Sequence, residues 1–244
     1  MKKLWIIARK DIKEAFRSRS TYIFVFVVVL LSFTYFSQYG RVISGLTNEN
    51  DILDVSRTFM NGLTYVLPMM FSIFICSVFA NYSVIVDKAK RNIESLMATP
   101  ISIRQIWMGK SLAVTLPSVV IGIIVAIVDY LIMNFAFVMP KTGHFLVPEA
   151  LAIVSSLVIV PILIFAVVTI VLFLQLTITN PRIASLVFTG LFLLLFFGTN
   201  ALGNLGIGVN IGLIYLGFIV VCAVVAFLLS RSLTKEKVIL SSKG

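Results

Sequence analysis

Charged residues are scarce in this chain of 244 residues, since they make up 12% of it while hydrophobic residues make up 59%. Soluble domains are usually about 45–50% apolar, so most of this chain is expected to lie in lipid. Cysteine and histidine are almost absent. Cys76 and Cys222 both lie in apolar runs and predict no disulfide, and His144, the one histidine, has no neighbour in sequence that predicts a metal site.

Sequence motifs that carry catalysis are also missing. The chain has no G-x-x-x-x-G-K-[ST] loop to hold phosphates and no H-E-x-x-H metal motif. Its apolar runs contain no Ser/His, Ser/Lys or paired-Asp arrangement of the kind that an intramembrane hydrolase needs. We therefore predict that the chain is not an enzyme, hydrolyses no ATP itself, and binds neither a cofactor nor a metal.

Long hydrophobic runs dominate the sequence instead. A helix needs about twenty mostly apolar residues to cross a bilayer, and the strict alternation of a membrane β-barrel strand is absent. The sequence therefore predicts an all-α membrane protein, a single transmembrane domain over residues 1–244. Its six predicted transmembrane helices cover roughly Thr21–Tyr39, Leu63–Val86, Leu112–Val138, Leu151–Leu176, Ile183–Phe197 and Val209–Leu229.

Positive charge is distributed unevenly between the two sides of these spans. Six spans place both termini on one side, and seventeen of the twenty Lys and Arg residues fall on that side. Basic residues favour the cytoplasmic side, so both termini are predicted to be cytoplasmic in a multi-pass protein of the plasma (cytoplasmic) membrane. The basic residues surround the inner face, where anionic lipid attracts them, which indicates membrane lipid rather than nucleic acid as the partner.

The first nineteen residues form an amphipathic pattern. Basic residues lie mostly opposite an apolar row, which predicts an interfacial helix over residues 1–19; the alternative is a basic leader that merely orients the first span. The apolar row consists of Leu4, Ala8, Ile12 and Phe16, with Trp5 beside it. Residues 20–86 then hold the first two spans.

Two features of the later spans leave alternatives open. Asp129 lies nineteen residues beyond Lys110, about 28 Å along a helix, which places it near the outer boundary and favours a solvated carboxylate over a residue of a transport pathway. The uncharged, glycine-rich residues 198–212 form either a re-entrant hairpin or a glycine-softened start of the last helix, with Gly208 and Gly212 as a packing edge.

The segment from residue 87 to residue 110 separates the second and third spans. Pro100 should end one helix, and Ser102 with Gln105 forms a capping box that should begin the next. Before the break, Ile93, Leu96 and Met97 form an apolar stripe. Physical reasoning alone allows this short helix to lie flat on the bilayer or to fit a groove of a partner protein.

The same segment resembles the signature of the type-2 ABC exporter permease family, whose members share E-x-L-x-x-T-P followed by a capped helix and G-K. The matching positions are Glu94, Leu96, Thr99, Pro100, Gly109 and Lys110. The opening stretch "WIIARKDIKEAFRSRS" is similar to that family's interfacial helix, and the six-span layout covers the whole chain. "DKAKRNIES" departs from the longer acidic-basic run that many members carry.

The resemblance implies the permease subunit of an ATP-driven ABC exporter. Two such chains would pair, as identical or paralogous subunits, and two copies of a separate ABC ATPase subunit would bind ATP and Mg. Residues 87–110 would be the cytoplasmic coupling region, residues 111–230 would hold spans three to six, and residues 231–244 would be a cytoplasmic tail. The residues expected to contact the ATPase are Ile93, Glu94, Leu96, Met97, Thr99 and Pro100. An ATP-independent secondary transporter or channel and a membrane scaffold or assembly protein are the alternatives.

Overall fold

The computed structural model of the chain describes residues 2–46, 48–89, 101–178, 190, 193, 211–234 and 238. Within these residues the secondary structure is helical and contains no strand. The predicted all-α class is therefore confirmed for the described part of the chain.

The amino-terminal half contains three long helices separated by short breaks. The first break lies at Ser18, whose backbone is extended, and the hydroxyl of Thr21 donates a 2.6 Å hydrogen bond to the carbonyl of Ala15 across it. The first helix is thus distinct from the first span, as its amphipathic pattern predicts. The helices are α1 (Lys2–Arg17), α2 (Arg19–Ser44) and α3 (Glu49–Ala80).

The remaining helices are joined in three places by π-helical turns, which continue a helix with one extra residue per turn. A turn over Asn81–Val86 joins α3 to α4, Asn134–Val138 joins α5 to α6, and Ser155–Ile159 joins α7 to α8. The helices are α4 (Asp87–Ala89), α5 (Ile103–Met133), α6 (Met139–Thr142), α7 (Ala150–Val154), α8 (Val160–Thr177) and α9 (Ile211–Ser232).

Five of the described helical stretches are long and apolar enough to cross a membrane. They correspond to the first four predicted spans and the sixth, while the predicted fifth span and the glycine-rich segment lie almost wholly outside the described residues. The five stretches are Thr21–Ser44, Glu49–Ala80, Ile103–Thr142, Ala150–Thr177 and Ile211–Ser232.

Helix α3, which holds the second predicted span, is longer than that span. The apolar run indicated a start at Leu63, whereas α3 begins at Glu49. Hydropathy measures the part of a helix that suits lipid, and a helix can continue beyond the lipid through polar residues. Asn61 is an example of such a polar residue: it lies on α3 before the predicted span, and its side-chain amide donates a hydrogen bond to the Glu149 carboxylate.

The core of the bundle lies where α3 and α5 cross. A Cβ atom added to Gly122 would lie 2.2 Å from Ser72 Oγ and 2.8 Å from the Ser72 backbone nitrogen. Only glycine therefore allows the two helices to approach this closely. Buried side chains of α8, such as Leu163, Val167 and Leu172, complete the same apolar cluster.

Candidate functional site

A buried lysine, Lys110, lies near the start of α5 and is the last residue of the predicted coupling region. The side chain of Lys110 is fully buried. Its Nζ atom lies 2.9 Å from Asp11 Oδ2 and 2.6 Å from Asp87 Oδ2, and it also donates to the backbone carbonyl of Ser83. These three acceptors match the three N–H donors of an ammonium group.

The second member of this cluster comes from the amino-terminal helix. Asp11 is 7% exposed, and its Oδ2 atom accepts hydrogen bonds from Lys110 and from the Ser83 hydroxyl, the latter at 2.8 Å. Asp87, which is 3% exposed, supplies the other carboxylate. We call Asp11, Ser83, Asp87 and Lys110 the charge cluster.

The charge cluster connects three parts of the fold. Asp11 lies on α1, Ser83 and Asp87 lie on the continuation of α3, and Lys110 lies on α5. Buried ions lose their hydration, so they remain charged only where opposite charges and hydrogen bonds replace it. Because hydrogen bonds are directional, the cluster fixes the relative positions of the three elements at this end of the bundle.

Two further contacts attach α8 to the same end. The Trp107 indole N–H donates a 2.8 Å hydrogen bond to the Thr169 carbonyl. Lys88 Nζ donates a 3.0 Å hydrogen bond to the carbonyl of Ile178, which ends α8. Partial burial lowers the pKa of Lys88 from 10.5 to about 8. A cationic side chain at a helix carboxyl terminus also interacts favourably with the helix dipole.

A helix, α1, covers residues of the predicted interfacial helix, whose apolar row is expected to face lipid. Ala8 is buried, whereas Trp5 is 56% and Phe16 38% exposed, and Ile12 is half-buried. The side chain of Leu4 lies outside the described residues. The location of α1 on a membrane surface stays a prediction.

Asp11 lies on the side of α1 that is buried in the bundle. The α1 side chains that the structure shows as buried are Ile7, Ala8, Asp11 and Ala15, and α1 packs against α5. The ion pair of Asp11 with Lys110 directs its side chain into the bundle.

The predicted coupling residues Ile93, Glu94, Leu96, Met97, Thr99 and Pro100 all lie outside the described residues. The structure shows the chain on either side of them, at Ala89 and at Ile101. The predicted capping box is confirmed: Gln105 N donates to Ser102 Oγ at 3.3 Å, and Ser102 N donates to Gln105 Oε1 at 3.2 Å. The helix after Pro100 therefore begins where the sequence predicts.

Asp129 occupies a different environment from the one predicted. Its side chain is only 4% exposed, so the expected solvated carboxylate is wrong. Ser32 on α2 supplies a side-chain hydrogen bond, while Asp129 Oδ2 has no hydrogen-bond partner. The residue lies inside α5, which continues through a π turn to Thr142. Its role in a pathway stays a prediction.

Comparison with known proteins supplies the family. No curated protein and no solved structure matches the chain. The family model described as ABC-2 family transporter protein matches residues 5–213, which is most of the chain. This range includes most of α1, the charge cluster, the predicted coupling segment and Asp129. The chain therefore belongs to the ABC-2 family of transporter proteins.

Proposed function

We propose that this chain is the membrane-spanning permease subunit of an ATP-driven ABC exporter. Two such chains would form the translocation pathway, and each would bind one copy of a separate ATPase subunit that holds ATP and Mg. Membership of the ABC-2 family supports the permease role. The uneven distribution of basic residues supports cytoplasmic termini in the plasma membrane, with the coupling segment on the same side.

The charge cluster is the observation that carries this proposal. The predicted coupling segment lies between Asp87 and Lys110, and these two residues are joined by a 2.6 Å ion pair. A force applied to the segment would therefore reach the continuation of α3 and the base of α5 together. A loop that only connected two spans would not require a buried ion pair between the two helices that it joins.

The coupling residues have distinct roles in this proposal. Leu96 and Met97 would fill an apolar groove of the ATPase, and Glu94 would pair with a basic residue beside that groove. Ile93 would extend the apolar contact. Pro100, preceded by Thr99, would end the short helix and direct the chain towards α5. Closure of two ATPase subunits on ATP would move two such helices and, through the charge cluster, the spans.

Co-purification with a candidate ATPase, followed by ATPase measurements across a panel of substrates, tests the proposal. Leu96→Asp and Glu94→Lys should abolish ATPase binding and substrate-stimulated turnover while leaving membrane insertion intact. Val147→Asp is a matched control, because Val147 is 68% exposed and lies in the loop before α7, outside residues 87–110. It should bind and stimulate the ATPase normally.

Two results would contradict the proposal. If both coupling variants bind and stimulate the ATPase as the unmodified chain does, residues 93–100 do not couple the subunits. If the purified chain moves cargo without any nucleotide-hydrolysing partner, the chain is instead an ATP-independent transporter or channel.

A further inference from the structure

A cavity of about 290 Å³ opens between α3, α5 and the start of the helix formed by α7 and α8. It lies towards the end of the bundle opposite the charge cluster. It includes Met60 in the first half of α3 and Met133 at the end of α5, whereas Asp87 follows the end of α3 and Lys110 lies near the start of α5. Its deepest walls are Met60, Leu67 and Met133, each at most 3% exposed.

The walls of the cavity offer no free polar side chain. Thr64 Oγ1 donates to the carbonyl of Met60 at 2.8 Å, and Ser156 Oγ donates to the carbonyl of Ile153 at 2.9 Å. The Tyr130 hydroxyl donates to the carbonyl of Leu146. The other lining side chains are apolar. A ligand in this cavity would therefore find apolar contacts and no side-chain group that needs a hydrogen bond.

The size of the cavity suits a hydrocarbon group. An engineered apolar cavity of about 150 Å³ stays free of water and binds benzene, and this one is about twice that volume. Water would gain few hydrogen bonds here, because an ordered buried water needs two to four polar partners. Contact with a flexible hydrocarbon would recover the dispersion energy that an empty cavity forfeits.

The mouth of the cavity faces away from the bundle. Ile127, Val147 and Leu157 form its rim and are 52%, 68% and 50% exposed. Since Ile127 and Leu157 belong to helices that are long and apolar enough to cross a membrane, their exposed surface is expected to face lipid. The cavity is thus accessible from the hydrocarbon of the bilayer.

A polar site adjoins one end of the cavity. Asn61 Nδ2 donates to Glu149 Oε1 at 2.9 Å, and the Glu149 backbone N–H donates to Asn61 Oδ1 at 3.0 Å. Asn61 follows the lining residue Met60, and Glu149 follows the lining residue Pro148. The exposed Glu149 carboxylate therefore lies beside the apolar cavity, where it can attract the ammonium group of a zwitterionic phospholipid headgroup.

We propose that this cavity binds one alkyl chain of a zwitterionic bilayer phospholipid, whose headgroup lies beside Asn61 and Glu149. The bound chain completes the packing between α3 and α5 at this end of the bundle. The site belongs to a single chain and needs no ATPase, so it is independent of the proposed export function.

Photo-crosslinking tests this site directly. The full chain is reconstituted in nanodiscs of phosphatidylcholine that carries a diazirine in one acyl chain, and labelled peptides are mapped by mass spectrometry. Leu157→Trp places a bulky ring at the mouth, and Ile153→Trp is a second blocking variant. Leu151→Trp is the matched control, because Leu151 is also 50% exposed but does not line the cavity.

The expected result is labelling of the lining residues of α3 and α5 in the unmodified chain and in Leu151→Trp, with a several-fold loss in both blocking variants. Circular dichroism and gel filtration identify any variant that fails to fold. Equal labelling of the lining in all four proteins would overturn the proposal. So would label confined to outward-facing positions such as Ile124, or a lining closed to lipid by a second copy of the chain.

Discussion

Replacing Lys110 with methionine should destabilise the protein more than any other single change within the charge cluster. Methionine keeps most of the length of the side chain but removes the ammonium that Asp11 and Asp87 share. Asp11, at 7% exposed, would retain only the Ser83 hydroxyl as a partner. A buried carboxylate would then lack a compensating cation, and a backbone carbonyl would lose its donor.

The expected magnitude follows from this geometry. Breaking a buried ion pair by removing one partner costs about 3–5 kcal/mol, because the remaining charge stays desolvated. Asp11→Asn should cost less, about 1–3 kcal/mol, since Lys110 keeps its 2.6 Å pair with Asp87. Lys10→Met is the control: Lys10 is 48% exposed and lies 3.8 Å from Glu14, a pair of the kind worth about 0.3–0.5 kcal/mol.

Equilibrium unfolding in mixed micelles, followed by circular dichroism, measures these differences. The free energy of unfolding should fall in the order unmodified chain, Lys10→Met, Asp11→Asn, Lys110→Met. In a double-mutant cycle, Asp11→Asn should partly rescue Lys110→Met, because it removes the buried Asp11 charge that Lys110→Met leaves without its cation. Equal stability of Lys110→Met and Lys10→Met, or strictly additive effects in the cycle, would refute the argument that a buried ionic joint holds α1 to α5.

Two further predictions concern helix packing and pH. Gly122→Ala should lower the free energy of unfolding by about 1–3 kcal/mol, because its Cβ would overlap α3. Gly62→Ala should instead stabilise α3 by roughly 0.5–1 kcal/mol, because no atom lies within 4 Å of the new Cβ. Thermal unfolding of the two variants measures the difference. Burial lowers the pKa of Lys88 from 10.5 in the unfolded chain to about 8 in the folded one. The unfolded chain therefore binds more protons between these values, so stability should rise with pH across this window, and Lys88→Met should remove that rise in pH-dependent unfolding.

The sequence predicted the helices of the described chain better than it predicted their contacts. Apolar runs located four consecutive spans and the last one, because the cost of placing polar groups in lipid is large and local. The capping box of Ser102 and Gln105 was equally local and is confirmed. The helix that holds the second predicted span begins at Glu49, fourteen residues before the predicted span start at Leu63, because hydropathy carries no information about a helix outside lipid.

The charge cluster could not be predicted from local pattern. Asp11 and Lys110 are 99 residues apart. Asp11 lies between Lys10 and Lys13, which suggests a solvated surface, and the uncharged neighbours of Lys110 give no indication of its partner. One signal was available: Asp11 lies between Ala8 and Ala15, at i−3 and i+4, so it is centred on the small-residue face of α1. An acidic residue on such a face indicates a buried partner, although the sequence alone does not identify which lysine or arginine that partner is.

The two ends of the bundle are therefore held by different kinds of contact. At one end, the ion pairs of Lys110 and the bonds of Trp107 and Lys88 are directional and fix α1, α3, α5 and α8 to one another. At the other end, α3 and α5 border an apolar cavity of about 290 Å³, whose contacts are non-directional. At this end α3 and α5 each bond the loop before α7, through Asn61 and Tyr130, rather than an ion shared between them. A change in the spacing of the two helices at the cavity should therefore cost less than one at the charge cluster. A displacement of the charge cluster should consequently move the adjoining ends of the helices as a unit. The spacing of α3 and α5 at the cavity should then change, and the hydrocarbon proposed to occupy the cavity can rearrange.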